Sequence, residues 1–90
     1  MRKPRDEPLL KALAAEVKRR RLALEMSQED LAFRADVHRT FVGKIEVAQT
    51  QPSFTVLFHL AEALETDVLD LIGGVVSRIP KERKALRPGS

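Results

Sequence analysis

Two short amphipathic segments on either side of a tight turn constrain the fold of this chain more than any other feature. Residues 28–47 read QEDLAFRADVHRTFVGKIEV. Two short helices joined in this way can cross steeply only if small or apolar residues lie at fixed places around the turn. The residues at those places are Leu31, Ala32 and Ala35 before the turn, Val37 within it, and Val42 and Ile45 after it. The spacing therefore predicts two short helices that meet at a steep angle.

Periodic apolar residues and capping signals predict where the first three helices lie. A helix over residues 9–25 is predicted because apolar residues recur there at helical spacing. The residues of that stripe are Leu10, Leu13, Ala14, Val17 and Leu24. Ser27 and Asp30 have the spacing of a capping box at the start of the second helix, which ends at a turn near Asp36. The third helix is predicted over residues 39–47.

Two further helices follow from the same kinds of signal. Ser53 marks the start of a fourth helix with a broad apolar face. That face consists of Phe54, Leu57, Leu60, Ala61 and Leu64. Asp67 caps a fifth helix over residues 68–72, which Gly73 and Gly74 are expected to end or weaken. The sequence thus predicts an all-α fold of five helices.

The composition fits one small domain with tails. Ninety residues, 43% hydrophobic and 32% charged, suit a single unit that folds in water. We expect the folded domain to cover residues 9–79, between flexible basic tails at 1–8 and 80–90, because neither tail has an apolar repeat. No apolar run is long enough to span a membrane and there is no cysteine, so a cytoplasmic protein is expected.

Side chains that could carry catalysis or bind a metal are scarce. The chain has two histidines 21 positions apart, no cysteine and no glycine-rich phosphate loop. These residues do not form a catalytic or metal-ligating cluster. We therefore expect no catalytic residue, no metal site, no cofactor and no small-molecule effector. A binding role is favoured over an enzymatic one.

The spacing around the turn matches the helix-turn-helix unit, whose second helix enters the major groove of DNA, although an ordinary helical hairpin would place its apolar residues equally well. Two stretches, SQEDLAFRADVHRTFVGKIE and QPSFTVLFHLAEALETDVLDLI, resemble the lambda-repressor-like domains of the Cro and C1 type, the XRE family of transcription regulators. The resemblance covers residues 10–72. It implies a five-helix lambda-repressor-like fold that binds DNA. Restriction-modification controller proteins are a subgroup with a similar third helix.

The resemblance implies that the exposed start of the third helix reads base edges. Arg39 and Thr40 match the first exposed positions of that helix. Arg39 can form a bidentate contact with guanine, and Thr40 can reach a phosphate or a thymine methyl. Lys44 lies one turn further along the same face and can reach a guanine or a phosphate. Phe41 either packs on a thymine methyl or a sugar, or lies half in the core.

Polar residues in three places are expected to contact the phosphate backbone. Gln28 matches the family position at the start of the second helix whose side chain and backbone amide hold a phosphate, and free backbone N–H groups at a helix start attract an anion. His38 stands where the family usually has Ser, Thr or Asp, so the third helix is expected to be less well capped, and the histidine approaches a phosphate or solvent. Gln49, Thr50 and Gln51 replace the usual basic loop and donate only neutral hydrogen bonds.

Arg21 lies on the apolar stripe of the first helix and therefore needs a partner. Glu46 follows Ile45 at the inner edge of the third helix. The resemblance implies that Arg21 and Glu46 form a buried or half-buried salt bridge that joins the first helix to the recognition helix. Such a bridge fixes orientation more surely than it adds stability.

The fifth helix and its extension hold more apolar side chains than one edge of a small core can cover. The residues expected at a dimer interface are Leu69, Ile72, Val75, Val76 and Ile79. The resemblance implies a two-fold dimer that places two recognition helices about 34 to 36 Å apart on a palindromic site. We therefore expect a homodimeric transcriptional regulator of double-stranded DNA, either a repressor or an autoregulator. An antitoxin that uses the same fold to bind DNA and a toxin protein is the alternative.

Overall fold

Five helices make up the part of the chain that the structure, a computed structural model, describes, which is residues 6–79. They are α1 (Glu7–Ala23), α2 (Gln28–Ala35), α3 (Arg39–Glu46), α4 (Phe54–Ala63) and α5 (Val68–Ser77). No strand occurs within residues 6–79. The prediction of an all-α, five-helix fold is confirmed. None of these helices is both long and apolar enough to cross a membrane.

Side-chain caps begin the helices, and several of them are the residues that the sequence indicates. Ser27 Oγ accepts a hydrogen bond from the Asp30 amide at 2.9 Å, and the Ser27 amide donates to the Asp30 carboxylate at 2.9 Å. These bonds with Ser27 lower the pKa of Asp30. Ser53 and Asp67 accept equivalent bonds at the starts of α4 and α5. Each cap of this kind is worth about 1 kcal/mol.

Helix α1 begins two residues earlier than the apolar spacing predicts. Asp6 Oδ1 accepts a hydrogen bond from the Leu9 amide at 3.0 Å. Pro8 is tolerated in the first turn because the N–H that proline lacks has no partner there. The expected tail at 1–8 is therefore corrected, since Glu7 and Pro8 are helical. The remaining tail residues, 1–5 and 80–90, lie outside the described part of the chain.

The core forms where α2 packs on α3 and α4, and where α1 packs on α3 and α5. The largest fully buried side chains are Val17, Leu31, Val42, Ile45, Leu60 and Leu71. Ala32 and Ala35 are buried just before the turn, where Asp36 adopts a left-handed φ of 59°. Burial of each large aliphatic side chain stabilises the fold by about 1.5 to 3 kcal/mol. The inner faces of α2 and α3 are thus anchored in the core, while their outer faces are exposed to solvent.

Helix α5 runs five residues past its predicted end, through Gly73 and Gly74 to Ser77. Each glycine weakens a helix by about 1 kcal/mol. This loss is offset because Val75 lies in the core, 2% exposed, and because Arg78 Nε donates to a buried carboxylate on α1 at 3.0 Å. Tertiary contacts therefore extend a helix that local propensity would end.

Helix α4 buries only part of its apolar face. Leu60, Ala61 and Leu64 lie in the core, whereas Phe54 is 74% exposed and Phe58 is 42% exposed. The two rings contact each other edge to face with their centroids 4.9 Å apart. The predicted apolar face is correct in direction but wrong for Phe54, because the small core covers less of the helix than its apolar residues span.

Candidate nucleic-acid interface

His38 caps the recognition helix α3, contrary to the expectation of a weakly capped start. Its Nδ1 accepts a hydrogen bond from the Thr40 amide at 3.1 Å. A histidine nitrogen accepts only when it carries no proton, so the cap requires the tautomer with hydrogen on Nε2. Nε2 is thus the ring atom of His38 that is left to approach a phosphate.

Three polar residues lie on the exposed side of α3. Arg39, Thr40 and Lys44 are all exposed. Arg39 Nη1 donates to Glu29 Oε2 at 2.7 Å, and the two side chains are 66% and 65% exposed. An ion pair so accessible to water is weak. Arg39 can therefore leave Glu29 for a better acceptor in a DNA groove.

Phe41 lies between the exposed side of α3 and the core. Its side chain is partly buried and packs against the main hydrophobic cluster. Of the two placements left open by the sequence, the structure shows the one half in the core. Only part of the ring remains accessible to a base or a sugar.

A bidentate ion pair joins α1 to the end of α3. Arg21 Nε and Nη2 donate to the two oxygens of Glu46 at 2.7 and 3.0 Å, and the side chains are 9% and 2% exposed. Arg21 Nη1 also donates to the Met26 carbonyl at 2.7 Å. The hydrogen bond to Glu46 raises the pKa of Arg21. Gln28 Nε2 donates to Glu46 Oε1 at 3.0 Å, so α2 is held by the same carboxylate.

The loop between α3 and α4 has no charged side chain. Gln49 and Gln51 are exposed and Thr50 is partly buried. The backbone N–H of Gln49 donates a hydrogen bond to the backbone carbonyl of Lys44 at 2.8 Å, and this bond holds the loop against the end of α3. Ala48 turns the chain with a left-handed φ of 60°. The three polar side chains can offer hydrogen bonds to a phosphate without forming ion pairs.

The five apolar residues expected at a dimer interface divide between the surface and the core. Leu69 is 80% exposed, and Ile72 and Val76 are partly exposed. Val75 is 2% exposed and Ile79 packs against the core. The expectation for Val75 is corrected, because α5 continues as a helix past its glycines and turns Val75 inward. Ile79 is only partly buried, and its place at an interface stays a prediction.

A second exposed apolar surface lies across α4 and α5. Phe58 and Leu69 line the same groove between the two helices, and Phe54 contacts Phe58. We call these three residues the aromatic face. Of these three residues only Leu69 was predicted at an interface, because helical periodicity shows which residues share a side, and not how much of that side the core covers.

A buried carboxylate on α1 accepts hydrogen bonds from three arginines. Glu16 is 2% exposed. It accepts hydrogen bonds from Arg19 Nη2 and Arg20 Nε, each at 2.7 Å, and from Arg78 Nε at 3.0 Å. The bond from Arg19 above all, with those from Arg20 and Arg78, lowers the pKa of Glu16 from 4.5 to about 2, although desolvation opposes the shift. We call these four residues the Glu16 network.

Sequence reasoning missed the Glu16 network because Arg78 lies 62 positions from the carboxylate. One signal was available in the sequence. Glu16 interrupts the apolar stripe beside Val17, and arginines follow three and four positions later. A charge on an apolar stripe requires a partner, as it does for Arg21.

The helix-turn-helix family matches residues 17–71, a range that includes α2, α3 and both members of the Arg21–Glu46 pair. The chain therefore belongs to the helix-turn-helix family, whose members of this XRE type are DNA-binding transcriptional regulators. No curated protein matches the chain significantly.

Several similar solved structures are restriction-modification controller proteins. C.AhdI from Aeromonas hydrophila is 32% identical, with 69% of this chain and 94% of that chain covered and a TM-score of 0.67. C.Esp1396I is 27% identical over 81% of this chain and 94% of that chain, with a TM-score of 0.74. C.Esp1396I has also been solved as a tetramer on its natural 35-base-pair operator, where it is 26% identical over 78% of this chain and 92% of that chain, with a TM-score of 0.72.

Proposed function

We propose that this protein is a sequence-specific transcriptional regulator that binds a palindromic operator as a homodimer and acts as a repressor or autoregulator. The observation that carries the proposal is the exposed, capped start of α3. Arg39 and Thr40 face solvent there, while Val42 and Ile45 anchor the same helix in the core. A helix held by its inner side with polar residues at its outer N-terminal end suits the major groove. The controller protein solved on its operator supports this use of the fold.

Arg39 is the residue that we expect to decide base preference. Its guanidinium can donate two parallel hydrogen bonds to N7 and O6 of a guanine once it leaves Glu29. In the free protein the pair with Glu29 is exposed and weak, so breaking it on binding costs little. Thr40 and Lys44 add contacts to a thymine methyl, a guanine or a phosphate on either side. Phe41 packs against the core and offers DNA only the part of its ring that remains accessible.

Phosphate contacts come from the start of α2, the start of α3 and the loop that follows α3. Gln28 is expected to contact a phosphate through its backbone N–H and through the second hydrogen of its side-chain Nε2, because the first is donated to Glu46. His38 offers Nε2, because Nδ1 caps α3. Residues 49–51 contribute neutral hydrogen bonds only. We therefore expect these contacts to fix the register on the duplex while adding little to the salt dependence of binding.

The aromatic face is the surface that we expect to form the homodimer. Phe54, Phe58 and Leu69 are large, exposed and adjacent. In a two-fold dimer the same patch is buried on both copies. Complete burial of each side chain of this size contributes about 1.5 to 3 kcal/mol of favourable free energy. This contribution offsets the translational and rotational entropy that two copies lose on association. Ile72 and Val76 are partly exposed on the same helix as Leu69 and extend the interface.

Selection of bound sites from random duplex DNA by the full chain tests this proposal. The expected result is an inverted repeat whose half-sites lie about 10 to 10.5 base pairs apart, centre to centre. Recovery of a single half-site without its repeat would contradict the dimer. Sites that fail to converge on any sequence would contradict sequence-specific binding.

A further inference from the structure

Helix α1 carries two ionic networks on different sides. The Glu16 network reaches α5, and the Arg21–Glu46 pair reaches α3. α1 also packs directly against both of these helices. One helix is therefore bonded both to the helix that presents Leu69 and to the helix that presents Arg39.

The Glu16 network holds α5 at two separate points. Arg20 Nη2 donates to the Asp70 carbonyl in the first turn of α5 at 3.2 Å, and Arg78 at the other end donates to Glu16 at 3.0 Å. Positions 70 and 78 are about 12 Å apart along a helix. Attachments at this separation fix the direction of α5 as well as its position. Between them, Gly74 leaves the space that the carboxylate occupies, since a Cβ added there would overlap Glu16.

The second network fixes α3 in the same way. Arg21 and Glu46 share two hydrogen bonds at 2.7 and 3.0 Å, and Gln28 adds a third bond from α2. Two parallel bonds between planar groups permit little relative rotation. α3 therefore keeps a fixed angle to α1, as α5 does.

We propose that Glu16, Arg20 and Arg78 determine which half-site spacing this protein accepts, because they fix α5, and with it Leu69 of the aromatic face, relative to the recognition helix. Helix α5 packs in turn against α4, which carries Phe54 and Phe58. They act as positioning residues, since none of them needs to touch DNA. The inference rests on the proposed function, because only a dimer on two half-sites has a spacing to set.

A small change in the direction of α5 would be enough to alter the spacing. Helix α5 has 10 residues and is therefore about 15 Å long. A tilt of about 13° moves one of its ends by about 3.4 Å relative to the other, which matches the rise of about 3.4 Å per base pair. A dimer that has lost the network should therefore accept neighbouring spacings.

Two matched arginine variants separate this role from a general loss of charge or stability. Arg78→Ala removes a bond that crosses from α5 to Glu16, whereas Arg19→Ala removes a bond to the same carboxylate from within α1. Both changes remove one positive charge from a partly exposed side chain. The probes are the palindrome recovered by selection and two derivatives with one base pair added or removed between the half-sites. Fluorescence anisotropy gives each Kd, sedimentation gives the oligomeric state, and thermal melting confirms folding.

The wild type and Arg19→Ala should bind the selected spacing about tenfold or more tightly than either derivative, comparable with the effect of one mismatched base pair. Arg78→Ala should stay dimeric and reduce that preference to about threefold or less. Arg20→Ala, which frees the Asp70 carbonyl, should behave like Arg78→Ala and replaces it if that variant does not fold.

An unchanged preference in folded, dimeric Arg78→Ala would overturn the inference, and so would an equal loss of preference in Arg19→Ala. A wild type that binds DNA as a monomer would overturn the proposed homodimer together with this inference. A dimeric wild type with a selected palindrome would leave the proposed function standing whichever way the variants behave.

Discussion

Replacement of Glu16 by glutamine should destabilise the protein at neutral pH and remove much of its sensitivity to acid. The carboxylate is 2% exposed and accepts hydrogen bonds from three arginines. Glutamine has nearly the same size, but it loses the charge and places an N–H donor where the arginines also donate. The packing around position 16 is thus kept while its electrostatic attraction is removed.

The magnitude follows from the lowered pKa of Glu16. A carboxyl group whose pKa falls on folding contributes stability that is present above its unfolded pKa and is lost as the pH falls through its folded pKa. For Glu16 these values are 4.5 and about 2. Each pKa unit corresponds to about 1.4 kcal/mol, so the contribution at neutral pH is about 3 kcal/mol. Glu16→Gln should therefore lower the free energy of unfolding by about 3 kcal/mol at pH 7 and by little below pH 2.

Urea unfolding followed by circular dichroism at a series of pH values from about 7 to 2 measures this contribution. Protein concentration must be held constant, since dimerisation also stabilises the fold. Glu25→Gln, at an exposed position between α1 and α2, is the control and should change little. Asp30, whose pKa is also lowered, keeps some acid sensitivity in every variant. If Glu16→Gln lowered the unfolding free energy by less than about 1 kcal/mol at pH 7, or left its dependence on pH unchanged, the Glu16 charge would not stabilise the fold as expected.

Four further substitutions test the contacts of α3 and α5. Glu46→Gln removes the charge that pairs with the buried arginine of α1, and should lower the unfolding free energy by about 3 kcal/mol and the affinity for the operator; an unchanged Tm would count against burial of the pair. Gly73→Ala should stabilise the protein by about 1 kcal/mol, because the added Cβ meets open space. Gly74→Ala should destabilise it by about 1 to 3 kcal/mol, because the added Cβ would overlap Glu16. Urea unfolding that gave both substitutions the same sign would contradict this difference. Leu69→Ser should shift sedimentation equilibrium towards monomer without loss of helicity, and a variant as dimeric as the wild type would exclude the aromatic face.

The starts of α2, α4 and α5 and the turn between α2 and α3 could be predicted because their causes are local. Ser27 and Asp30 bond across three residues, and the alternation of apolar and polar positions decides which side of each helix is buried. Asp36 supplies the left-handed turn residue that its side chain makes tolerable. The need of Arg21 for a partner was also visible, because a charge on an apolar stripe is costly when unpaired.

Features that depend on distant parts of the chain could not be predicted in this way. α5 continues past two glycines because Val75 is buried and because Arg78 meets Glu16 from 62 positions away. The exposure of Phe54 depends on how much of α4 the finished core covers. His38 caps α3 through a ring nitrogen, which the general preference for Ser, Thr, Asn and Asp at this position does not anticipate.

Base-by-base affinities of wild type and Arg39→Ala for the selected operator test the central claim that α3 reads the major groove. Arg34→Ala on α2 removes the same charge from another exposed arginine and serves as the control. Arg39→Ala should lose base preference at one symmetric pair of operator positions, at a cost of about 1 to 3 kcal/mol, and should keep its base preference elsewhere in the site. Uniform weakening across all sequences, or a preference retained at every position, would contradict the claim.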